Sequence, residues 1–130
     1  MKKTLFSSLL AILLLLSGCN EKTQTIEEIY NEAKIENIDK VTIKDGSTGF
    51  SKTITNQEQI GEFLTLINEI EFTRIDKAEE WGFLYLITLF DGKREFRFGM
   101  NQIDSTYSDS NPDIEPIIDN YSQQLDIEEE

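Results

Sequence analysis

Phe83-Leu84-Tyr85-Leu86-Ile87-Thr88-Leu89-Phe90, followed by Asp91-Gly92, is the stretch on which the fold turns. Both alternating sets of residues 83–90 are apolar, so neither face is free for water along its whole length. A short apolar run bounded by turn residues has the pattern of a central strand. Asp91-Gly92 is the strongest hairpin signal in the chain, because a two-residue turn needs positive φ and glycine adopts it without strain. The return strand then places Phe96 and Phe98 inward, with Lys93, Glu95 and Arg97 outward.

Upstream, Val41 and Ile43 alternate with polar residues, Asp45 to Gly49 break the pattern, and Phe50, Lys52 and Ile54 alternate again. This predicts a second hairpin with a glycine-containing loop. The loop does not resemble a phosphate-binding loop, because no Gly-Lys-Ser/Thr end opens a helix there. Ile60, Phe63, Leu64 and Ile67 fall on one helical stripe, predicting a helix over 57–69 capped by Thr55 or Asn56. Ile70 to Ile75 reads as a strand and residues 76–80 as a solvated loop. Further upstream, Ile26, Ile29, Tyr30 and Ala33 recur at helical spacing, and Thr25 with Glu28 makes a capping box. The expected helix runs from 26 to about 36, leaning on the domain through a narrow apolar face.

Downstream, residues 100–107 are expected to form a further short edge strand, marked by Ile103 and Tyr107, and 108–112 a loop. Ile114, Ile117, Ile118, Tyr121 and Leu125 predict a final helix, with Asp113 as N-cap and Pro116 inside the first turn, where proline is tolerated. Residues 126–130 read as a frayed acidic tail. Together these elements predict one α+β domain: an antiparallel sheet of four to six strands packed on two helices, in the order ββαβββ(β)α.

The chain opens differently. Lys2 and Lys3 precede an apolar run from Leu5 to Leu16, and Leu16-Ser17-Gly18-Cys19 closes it. A basic start, a short apolar core and small residues before a cut are the parts of an export signal. The run falls short of the ~20 residues that span a bilayer. Leu16-Ser17-Gly18-Cys19 resembles the lipobox of bacterial lipoproteins. That resemblance implies cleavage between Gly18 and Cys19, a diacylglyceryl group on the Cys19 sulfur, and a mature chain held at the extracytoplasmic face of the cell membrane. Two acyl chains anchor a protein stably where one does so only marginally. In size, lipobox and layout the chain is similar to small single-domain lipoproteins of low-GC Gram-positive bacteria. The expected organisation is a signal peptide over 1–18, a lipidated tether with a short helix over 19–37, the domain over 38–126 and the acidic tail over 127–130.

Without residues 1–18 the chain carries 10 basic against 25 acidic residues, a side-chain sum of −15. Such a surface repels phosphate backbones, which argues against nucleic acid as a partner. It is also pushed from anionic headgroups, so the domain is expected to stand off the membrane on its tether. A basic protein or peptide is the partner this charge fits.

The chain has no histidine, and Cys19 is its one cysteine. Histidine triads, Cys–His pairs and Cys- or His-rich metal sites are thereby excluded. With 25 acidic residues, carboxylate pairs are too abundant along the sequence to single one out. Asp109-Ser110-Asn111-Pro112-Asp113 opens like a calcium loop, but Ile114 stands at the sixth position and Asn120 at the twelfth, where glycine and glutamate are needed. It reads better as a helix-capping loop. No catalytic residue, metal site or cofactor is expected. The candidate partner-binding residues are Trp81 with its neighbours Glu79 and Glu80. A lone tryptophan beside two acids fits an interface anchor, and fits somewhat better a core or strand-end tryptophan packed over the sheet. The functional expectation is a membrane-anchored, non-catalytic protein- or peptide-binding module. The alternatives are an inhibitor or immunity-type lipoprotein, and an enzyme working through carboxylates alone.

Overall fold

The computed structural model describes residues 23–75, 84–103 and 106–130, without the side chains of 106 and 107. The protein is an α+β fold. Its elements in chain order are β1 (Thr23–Thr25), α1 (Ile26–Glu32), β2 (Lys40–Asp45), β3 (Ser51–Ile54), α2 (Gln57–Ile67), β4 (Glu71–Arg74), β5 (Tyr85–Asp91), β6 (Arg94–Gly99), β7 (Gln102–Ile103), β8 (Thr106–Asn111) and α3 (Ile114–Gln124). The strands neighbour one another in the order β1-β4-β8-β7-β6-β5-β2-β3, every pair antiparallel. Three strands, β1, β4 and β8, make one group and the other five make the second. Strand β8 joins them: residues 106–107 pair with β7, and 108–111 with β4.

β5 is central, with β2 on one side and β6 on the other. Register explains the core. One row across the sheet reads Ile54, Val41, Leu89, Phe96, and the next reads Lys52, Ile43, Ile87, Phe98, Ile103. Every member except Lys52 is buried. Ile60, Phe63 and Ile67 of α2, Ile114 and Ile118 of α3, and Ile26 and Tyr30 of α1 join them in a single core. Each fully buried aliphatic or aromatic side chain stabilises the fold by about 1.5–3 kcal/mol relative to exposure. On the other face of β5, Leu86 and Phe90 are only half-buried, and the Lys40 ammonium sits 4.2 Å over the Phe90 ring. That face is therefore partly wet, and neither face of β5 is open to water along its whole length, as the apolar run predicts.

The hairpin between β5 and β6 sits one residue later than expected. Asp91 pairs with Arg94, so the loop is Gly92-Lys93, with φ +59° at Gly92. This leaves the Asp91 carboxylate free to accept from the N–H groups of Glu36 (2.9 Å) and Asn37 (3.1 Å). Asp39 accepts in return from the N–H of Gly92, and Arg94 donates to the carbonyl of Lys34. These bonds staple the segment after α1 to the central hairpin. Helix α1 ends at Glu32, short of 36, with its C-terminal turn closed by Lys34 at φ +67°.

Among the described residues there are eight strands, in groups of three and five, against an expected four to six, and three helices: the expected two, α2 and α3, and α1, the short helix expected in the tether. Residues 23–25, expected in the tether, pair with 71–73 of β4. Helix α1 does not merely lean: Ile26 and Tyr30 are buried, and the Tyr30 hydroxyl donates to Asn68 at 2.7 Å. The stretch expected as one edge strand and a loop is two strands, β7 and β8, set inside the sheet. The polar β8 owes its conformation to neighbours on both sides rather than to its own pattern.

Helix starts follow the sequence. Asn56 caps α2, Asp113 caps α3, and Pro116 lies in the first turn. Helix α3 has no basic residue in its last turn. Lys52 supplies that charge from β3: its Nζ donates to the carbonyls of Ser122 (2.6 Å) and Leu125 (3.0 Å). A cation at a helix C-terminus both satisfies open carbonyls and opposes the helix dipole. The acidic tail is not free. Ile127 packs against the core, and Glu130 exchanges two 2.9 Å backbone bonds with Ser51 on the outer edge of β3.

Candidate functional site

Gly18, Cys19, Glu79, Glu80 and Trp81 all lie outside the described residues. The described chain resumes at Leu84, three residues after Trp81, and Leu84 is exposed. Its carbonyl accepts from the N–H of Gly46 at 2.8 Å, which ties it to the loop between β2 and β3. Phe50 closes that same loop and is 52% exposed. The hairpin end therefore carries two exposed large apolar side chains, Phe50 and Leu84, on either side of the Asp45 backbone. The alternation of Phe50 with Ile54 pointed inward; the structure leaves Phe50 outside because β3 starts only at Ser51.

The loop itself is rigidly tied. The Asp45 carboxylate accepts from the N–H (2.8 Å) and hydroxyl (2.7 Å) of Ser47, and these bonds hold its pKa below the ordinary aspartate value. Gly49 adopts φ +79°, a conformation that favours glycine. Beneath the loop, the Tyr85 hydroxyl donates to Asp119 of α3 at 2.6 Å, and Gln123 donates to the same oxygen. Burial, with the Asp119 bond and charge added, pushes the Tyr85 pKa up to about 12.

The remaining titration shifts have the same structural character. Burial, assisted by Glu27, raises Tyr30 to about 12, and burial also raises Tyr121. Backbone bonds from Glu36 and Asn37 hold Asp91 below its ordinary value. Each of these shifts moves its group away from neutrality, whereas acid–base catalysis needs a pKa near the working pH. Among the described residues, no group of three or more acidic or sulfur ligands is placed to hold a metal ion. The calcium-like stretch is the end of β8 and the cap of α3. Ser110 Oγ accepts from the N–H of Ile114 at 3.0 Å, and Asp113 accepts from Glu115 at 3.2 Å. Among the described residues, no helix is long and apolar enough to cross a membrane.

The arrangement offers contact surface: an exposed hairpin end on a firmly tied loop. Sequence reasoning missed Phe50, whose signal was its place directly after the glycine that ends the loop. No protein-family model, no curated protein and no solved structure matches the chain.

Proposed function

We propose that the protein is a lipoprotein anchored through a diacylglyceryl thioether on Cys19 to the extracytoplasmic face of the membrane, and that its domain is a non-catalytic module binding a protein or peptide. The anchor rests on Leu16-Ser17-Gly18-Cys19 closing the apolar run after Lys2 and Lys3. The binding role is supported by Phe50 and Leu84 standing exposed at one hairpin end of an acidic domain. Strand β1 begins at Thr23, four residues after Cys19. A chain spans at most 3.3–3.6 Å per residue, so the tether reaches no more than about 14 Å. The domain then sits close against the bilayer instead of standing off it, and a partner must reach it there.

Mass spectrometry of the membrane fraction should find a mature chain starting at Cys19 with a diacylglyceryl mass added. Cys19→Ala should release the domain or leave an uncleaved precursor; unchanged fractionation and migration would defeat the anchor. For the binding role, Trp81→Ala should shorten the life of the complex with little loss of stability if Trp81 is a contact residue. Strong destabilisation by the same change would place it in the core and leave Phe50 and Leu84 as the contact residues to substitute.

A further inference from the structure

We propose that residues 126–130 are a detachable strap over the outer edge of β3, and that this edge takes up a basic, extended segment of the partner as an added strand. This rests on the binding role proposed above and gives that role a place on the fold.

The geometry begins with β3 as the last strand of the sheet. In an antiparallel ladder, bonded and non-bonded pairs alternate. The N–H of Asp45 donates to the carbonyl of Phe50, so Lys44–Ser51 is the non-bonded pair and Ser51 turns its N–H and C=O outward. Both meet Glu130, at 2.9 Å each, in the reciprocal pattern of an antiparallel pair. The edge thus already makes one antiparallel bridge, to Glu130. The same alternation turns the N–H and C=O of Thr53 outward. Among the described residues, the strap's backbone bonds to β3 are confined to Ser51.

The strap is also poorly matched in charge. Asp126, Glu128, Glu129 and Glu130 bring four negative charges to a mature chain that otherwise holds 10 basic and 21 acidic residues. Like charge opposes its seating, and an incoming basic strand reverses that sign. Unpaired strand edges are also ready templates for pairing, which gives the strap a protective use when no partner is present. Lys52, bonded to the carbonyls at the end of α3, fixes the point from which the strap departs, so detachment gives up the packing of Ile127 on the core but leaves the helix end tied. Main-chain bonds would supply affinity to any extended segment, and charge would select among segments.

The test uses the full chain in detergent micelles, the same chain lacking residues 126–130, and the synthetic peptide Lys-Val-Lys-Val-Lys as probe. Removing the strap should speed hydrogen exchange at the Ser51 amide at least ~10-fold while the Ile87 and Leu89 amides stay protected. The shortened chain should bind the peptide at least ~10-fold more tightly than the full chain, with new protection at Ser51 and Thr53. An acidic peptide of sequence Asp-Ile-Glu-Glu-Glu should bind more weakly than the basic one. Thr53→Pro removes an outward N–H that β2 does not use, so it should abolish docking on the shortened chain. If T53P fails to fold, the exchange footprint on the unsubstituted shortened chain decides. Unchanged Ser51 exchange, equal peptide affinity of the two chains, or a footprint away from β3 would each overturn the strap. A natural partner that binds both chains equally would do so too, while leaving the binding role intact.

Discussion

Strands β5 and β8 belong to one sheet, with β6 and β7 between them, but stand there for different reasons. β5 reads Tyr-Leu-Ile-Thr-Leu-Phe-Asp and buries Tyr85, Ile87 and Leu89 against three helices. β8 reads Thr-Tyr-Ser-Asp-Ser-Asn and has no apolar alternation. It is held by pairing with β7 at its start and β4 at its end. One strand makes its own environment; the other occupies a gap between two groups of strands. Substitutions should therefore be costly in β5 through packing, and around β8 through caps and pairing only.

The largest expected loss is in the first class. Ile87 is fully buried in the long core row, so Ile87→Ala should cost ~2–5 kcal/mol in urea unfolding. Leu86, next to it on the half-buried face, should cost clearly less. Equal losses at the two positions would mean that the two faces of β5 are equally packed, and the contrast between β5 and β8 would lose its basis.

A middle-sized effect belongs to Lys52, the one charged member of that core row. Lys52→Met keeps the stem and removes the ammonium that satisfies the Ser122 and Leu125 carbonyls. Bonds to a charged donor contribute ~1.5–3 kcal/mol, so a loss of about 2 kcal/mol is expected. A loss near zero would show that water replaces Lys52 at the end of α3. On the β8 side, Asp113→Ala, at the cap where β8 leads into α3, should cost about 1 kcal/mol.

The pH response separates the same two kinds of support. Asp91 has a lowered folded pKa, so its contribution is present above the unfolded aspartate value and is lost as pH falls through the folded one. Asp91→Asn should flatten that acid limb. Tyr85 is raised to about 12, so its contribution is complete below about 10 and is lost as pH rises through 12. Tyr85→Phe should flatten the alkaline limb in unfolding monitored against pH. Acid and alkaline limbs that ignore both substitutions would detach these bonds from stability.

How much of this could be read beforehand follows from the same contrast. The β5–β6 and β2–β3 hairpins, helix α2 with its Asn56 cap, and α3 with its Asp113 cap all show their periodicity directly. β1, β8 and the strap do not, because Thr-Gln-Thr, Thr-Tyr-Ser-Asp-Ser-Asn and Asp-Ile-Glu-Glu-Glu look like loop and tail until a partner strand is present. Pairing is non-local, and composition carries no trace of it. Lys52 was legible only as a cation out of place in an apolar alternation. The candidate site was not legible: that Phe50 and Leu84 share one hairpin end depends on register.

The smallest effect concerns β1, which raises the question of what keeps so polar a strand in place. Thr23 Oγ1 and Thr73 Oγ1 lie 2.8 Å apart, the one side-chain bond between β1 and β4 among the described residues. The bond is exposed, and such cross-strand pairs contribute ~0.2–1 kcal/mol. Directly after β1, Ile26 is fully buried and its N–H donates to the carbonyl of Ile70 at 2.9 Å. An anchor there fixes the strand's direction and leaves the threonine pair little to do. Thr23→Val, which keeps shape and β-propensity, should change stability by no more than ~0.5 kcal/mol, while Ile26→Ala should cost ~2–5 kcal/mol. If Thr23→Val proved as costly as Ile26→Ala, β1 would be held by its own side chains. Placing it with the neighbour-held strands would then be mistaken.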